Sequence, residues 1–140
     1  MSSPSSSVRA VLDGIADEVE AISLSLGTAA RGAPPELEVW RAYARTEKTV
    51  ARLKYRLGAE RPGAFTELPR SADLARLLRD ATRRLDEALS EARDGRPAEC
   101  LDALRGARTC LRAYLAELGR IRSREKRKLR KQAPPSLRPS

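Results

Sequence analysis

The chain has 140 residues, 41% of them apolar, five aromatic, and a formal charge of +9 from 28 Lys/Arg against 19 Asp/Glu. This suits one domain with an aliphatic core, and no apolar run approaches the roughly 18–20 residues of a membrane span. There is no His, no GxGxxG and no GxxxxGK[ST], so the sequence points away from an enzyme and marks no catalytic, cofactor-binding or metal-binding residue.

The abundance of Leu, Ala, Arg and Glu and the scarcity of β-branched residues favour helix. Four segments follow. The opening MSSPSSSVRAVLDG lacks the charged and apolar regions of a secretory signal, so the cytoplasm is the expected location. Residues 1–7 read as disordered. From Val8 to Leu26, Val8, Leu12, Ile15, Val19, Ile22 and Leu26 keep an unbroken 4-3-4-3-4 spacing, the seam of a coiled coil. A cap from Ser5–Ser7 and a stop at Gly27 are expected. This narrow seam leaves two choices open, packing within the chain or pairing with another chain as a homodimer or hetero-complex. Asp13, Asp17 and Glu20 line the opposite face, where a solvated surface is the better reading than a metal site.

After a loop at Gly27–Pro35, a second helix runs from near Pro35 to near Gly58, with Val39, Tyr43, Thr46, Val50, Leu53 and Leu57 on its seam. Its other face carries Arg41, Arg45, Lys48, Arg52 and Arg56, an acid-free stripe of the kind that can track a phosphate backbone. Pairing with acids of a neighbouring helix is the alternative.

The connection Gly58–Arg70 leads to a third helix, expected to open on a Ser71 cap and to stop at Gly95. Leu74, Leu77, Leu78, Ala81, Leu85, Ala88, Leu89 and Ala92 give it the broadest apolar face, predicting the most buried helix. Gly95-Arg96-Pro97 is a tight turn that folds the fourth helix back on the third. Cys100, Leu104, Ala107, Leu111, Tyr114, Leu118 and Ile121 form the fourth seam. Cys100 and Cys110, about 15 Å apart on one helix, are too distant for a mutual disulfide and read as small packing residues. Short loops and four amphipathic helices predict an all-α, antiparallel four-helix bundle over residues 8–118.

Residues 119–140 hold +8 of the net +9, with nine basic residues against Glu125. A basic helical extension is predicted over 119–131, with a bend or fray point at Gly119 and a disordered, Pro-containing tail over 132–140. Arg120, Arg124, Arg127 and Lys131 would share one face, with Arg122, Lys126, Lys128 and Arg130 around it. Arg/Lys in this density neutralise phosphates and release counterions, so DNA or RNA, bound without sequence preference, is the expected partner. A DNA-binding chain would be nucleoid-associated. A membrane surface fits poorly, because the tail has no Trp or Phe to insert, and no small-molecule substrate is indicated. A protein-docking arm of an assembly subunit is the alternative. Absence of Asn and a single Gln are shared by thermophile proteins and by products of GC-rich genomes.

Leu68-Pro69 before the third helix, and Glu117, Arg120, Arg122 and the basic residues through Lys126 at the end of the fourth, resemble the helical domain of archaeal GINS replication subunits. The resemblance covers Thr66–Lys131 and implies a scaffold that ties a replicative helicase to other fork proteins. The small β-rich second domain usual in that family has no strand-like counterpart here.

Overall fold

A computed structural model describes residues 6–29, 36–57 and 73–132. They form four helices and no strand: α1 (Ser6–Ala29), α2 (Glu36–Leu57), α3 (Leu74–Arg93) and α4 (Pro97–Gln132). The fold is an all-α helical bundle. Each helix packs on two others, α1 on α2 and α3, and α4 on α2 and α3. Across the α1/α2 contact, Glu18 meets Arg45 and Gly14 meets Arg52. Across α2/α4, Tyr43 meets Arg112 and Glu36 meets Arg122. In both, numbering rises on one helix as it falls on the other.

The α1 seam packs inside this chain. Leu12, Ile15, Val19, Ile22 and Leu26 are buried with Ala16, and so are not open to a second copy. Leu24, on the opposite side, is exposed. α1 starts at Ser6, inside the segment expected to be disordered, and runs through Gly27 to Ala29. Gly27 does not stop it because a glycine stop depends on a positive φ, and among the described residues only Gly95 has one.

The α3 cap is Asp73. Its backbone is extended, its side chain accepts a hydrogen bond from the Ala75 amide, and its carbonyl accepts from Leu77. The expected cap Ser71 lies outside the described residues, as do Leu68-Pro69 and residues 133–140. At the other end, Gly95 (φ 73°) donates to the Ala92 carbonyl and Arg96 to that of Glu91. This is the two-bond glycine motif that closes a helix. Pro97 opens α4 immediately, where its missing N–H costs nothing.

Helices α3 and α4 are about equally buried for their length, with six of 20 residues buried in α3 and eleven of 36 in α4. The buried face of α4 includes the small residues Ala103, Gly106, Ala107 and Cys110, and that of α3 includes Ala81, Ala88 and Ala92. At Gly106 a Cβ would sit 3.1 Å from Nε of Arg84, whose side chain lies over this position. Both cysteines are free and buried in this packing. The buried hydroxyls of Thr46 and Thr49 are satisfied by the carbonyls of Ala42 and Arg45. Among the described residues no helix is long and apolar enough to cross a membrane.

Two outcomes follow. Leu85 is fully buried, so Leu85→Asp places an unpaired charge in the core and costs several kcal/mol in denaturant unfolding; a wild-type midpoint would put the core on another face. Burial, with the Glu91 charge nearby, pushes the Cys100 thiol up to about 12, and burial likewise raises Cys110. A thiol reagent at neutral pH therefore labels the native chain slowly and takes up two equivalents only after unfolding.

Candidate nucleic-acid interface

Helix α4 spans 36 residues, about 54 Å at 1.5 Å per residue, against 20 to 24 for the other three. Its last buried residue is Glu117, Leu118 and Ile121 are partly covered, and every residue from Arg122 to Gln132 is exposed. The helix passes Gly119 without interruption. About 16 Å of helix therefore stands beyond the packed region. It carries Arg122, Arg124, Lys126, Arg127, Lys128, Arg130 and Lys131 against the single acid Glu125. Ile121, Glu125, Leu129 and Gln132 continue the core-facing side of the helix, and the cations occupy the rest of its circumference. Leu129 is two-thirds exposed, so its place on the seam buys no burial.

The base of this extension is ionically fastened. The Glu117 carboxylate, with only 6% of the residue exposed, accepts from Arg120 Nε at 2.9 Å and from Arg124 Nη2 at 3.2 Å. A buried carboxylate needs such partners. Arg122 pairs with Glu36 in the first turn of α2. Burial together with the Glu36 charge raises the Tyr114 phenol, in keeping with Glu36 lying against α4. Three expected phosphate ligands thus hold internal acids, while Lys126, Arg127, Lys128 and Arg130 lie farther out on the exposed turns. The i+3 and i+7 spacing of Arg120 and Arg124 from Glu117 was visible in the sequence; the burial of Glu117 was not.

The α2 stripe is divided. Arg45 is half-buried and donates through Nε to Glu18 Oε1 of α1 at 2.7 Å. Arg52 is half-buried beside Gly14, and Arg41 pairs with Glu38 at 3.1 Å. Lys48 and Arg56 are exposed. Arg45 and Arg52 point into the α1/α2 contact, so these five residues do not form one open cationic track, and α2 and the α4 extension are not brought together as one stripe. Across α2/α4, Arg112 donates to the Tyr43 hydroxyl at 3.0 Å, Tyr43 donates to Glu47 at 3.2 Å, and Arg108 lies 4.0 Å from Glu47. Among the described residues no group of three or more Cys, Asp or Glu is arranged to hold a metal ion.

No family model, no curated protein and no solved structure matches the chain.

The hydrogen bond from Arg45 holds the Glu18 carboxyl below the ordinary 4.5 of a glutamate. A depressed folded-state pKa adds stability that is present above the unfolded value and is lost as pH falls through the folded one. Glu18→Gln removes that contribution. Because both side chains are partly exposed, the loss at neutral pH is at most about 1 kcal/mol. The gap between variant and wild type closes as pH drops below about 4.5, checked by urea unfolding across pH.

Proposed function

We propose that the protein is a non-enzymatic, nucleic-acid-associated scaffold that uses the projecting end of α4 for sequence-independent phosphate contacts. The observation that carries the reading is the exposed helix from Arg122 to Gln132, with seven cations and one acid, on a body of nearly balanced charge. Of these cations, Lys126, Arg127, Lys128 and Arg130 are exposed on the outer turns. Arg predominates along the chain, which favours bidentate contact with phosphate. An assembly subunit, GINS-like or otherwise, is the second reading, supported by exposed Leu24, Leu37 and Tyr55, which a protein partner could cover.

If Lys126, Arg127, Lys128 and Arg130 each meet a phosphate of duplex DNA, log K falls against log salt with a slope of about −3.6, at roughly −0.9 per contact. Scrambling the DNA sequence leaves affinity unchanged. Truncation after Ile121 abolishes binding and leaves the helical bundle folded. Glu117→Gln releases Arg120 and Arg124 from their carboxylate, strengthening binding and steepening the slope by up to about 1.8. Equal, weak binding by truncated and full-length protein at low salt would overturn the proposal in favour of the assembly subunit.

A further inference from the structure

The side of α2 turned toward α4 carries Glu36, Trp40, Tyr43 and Glu47 at 4-3-4 spacing, one above another on the helix. Three of them contact cations of α4: Glu36 with Arg122, Tyr43 with Arg112, and Glu47 with Arg108. These contacts set the register of the two helices. Tyr43 contacts Arg112 and Glu36 contacts Arg122, so Trp40 falls between those two contacts, along the stretch of α4 that carries Leu115, Ala116 and Gly119. Ala116 and Gly119 are exposed, and neither has a side chain long enough to cover an indole. Trp40 is accordingly 50% exposed. Its ring is steadied by an edge-on contact with Tyr43, with centroids 6.1 Å apart at 87°.

The cations of this side of α4 are Arg108, Arg112, Arg122, Lys126 and Arg130, which fall within about a quarter of the helix circumference. Their one long gap, from Arg112 to Arg122, is where Trp40 lies. The surface therefore reads cation, open aromatic, cation, and continues onto the projecting helix. Five cations face the two acids Glu36 and Glu47, which leaves the surface positive.

We propose that this surface binds single-stranded nucleic acid, with an unpaired base stacked on Trp40 and the strand's phosphates running along Arg112, Lys126 and Arg130. Aromatic stacking beside a basic track is how proteins hold single strands without reading sequence. A duplex keeps its bases stacked on one another and offers Trp40 no free face, so the aromatic distinguishes the two ligands while the cations do not. The inference rests on the phosphate-binding reading above and adds the strandedness of the ligand.

Trp40 is the only tryptophan of the chain, so its emission reports on this surface alone. Titration of the full chain with a short oligothymidylate should quench Trp40 emission in step with binding measured by anisotropy, whereas duplex DNA should bind with little quenching. Trp40→Ala should weaken oligothymidylate binding roughly 5- to 150-fold, the range for losing one base–aromatic stack, and leave duplex affinity unchanged. Trp40→Phe, which keeps a stacking ring and the helix, should retain most of the single-strand affinity. Oligothymidylate binding without quenching, or with the affinity of Trp40→Ala equal to wild type, would overturn the proposal and leave Trp40 as a contact for a protein partner. Loss of salt-dependent binding to duplex and single strand alike would instead overturn the phosphate-binding reading on which it rests.

Discussion

Everything distinctive about this molecule depends on where the aliphatic packing of α4 ends. From Cys100 to Glu117 the helix has a face to bury, and α2 and α3 cover it. From Arg122 to Gln132 every residue is exposed, with Arg122 tied to Glu36 at the start of α2. Apolar residues there would gain nothing, and the chain supplies Arg and Lys, which are good helix formers that water solvates. The packed part of α4 already provides the nucleus, so each further residue only propagates an existing helix and avoids the cost that makes short isolated helices marginal. The tight α3/α4 turn at Gly95 and the buried faces of α3 and α4 hold the packed part in place, and the projecting part inherits its direction.

The join between body and extension is electrostatic as well as apolar. Glu117 is buried at the last packed turn and is held by Arg120 and Arg124, and Glu36 holds Arg122 from α2. These pairs steady the base of the projecting helix at the expense of three cations that could otherwise meet a polyanion. Charge counting over 119–140 therefore overstates the positive potential near the bundle and describes its outer turns more faithfully. The division on α2 has the same origin. Arg45 and Arg52 turn inward because α1 brings Glu18 and the side-chain-free Gly14 to them, while Lys48 and Arg56 face water.

Much of this was legible in the sequence because bundle seams are local and periodic. Leu12, Ile15, Val19, Ile22 and Leu26 recur at helical spacing and are buried together. The same pattern would serve an intermolecular coiled coil, so periodicity left the partner of α1 open, and only the packing of α2 and α3 around it assigns the seam to this chain. The breadth of the α4 face was not legible. Ala103, Gly106 and Cys110 lie off the seam and are buried all the same. The cap expected at Ser71 is instead supplied by Asp73, whose extended backbone and side-chain bond to the Ala75 amide place it there. The basic extension was plain from composition, but its pairing with Glu36 needed the α2/α4 register, which no run of sequence states.

The central claim is that the projecting end of α4 is helix without tertiary cover until a polyanion occupies it. Amide hydrogen exchange, read residue by residue in the free protein and with bound nucleic acid, tests this most directly. The account predicts that amides of 122–132 exchange far faster than those of 100–118 in the free protein, and that binding slows the first set while leaving α3 unchanged. Fast exchange at 122–132 that nucleic acid leaves unaltered, with protection appearing on α1 or α3 instead, would contradict it.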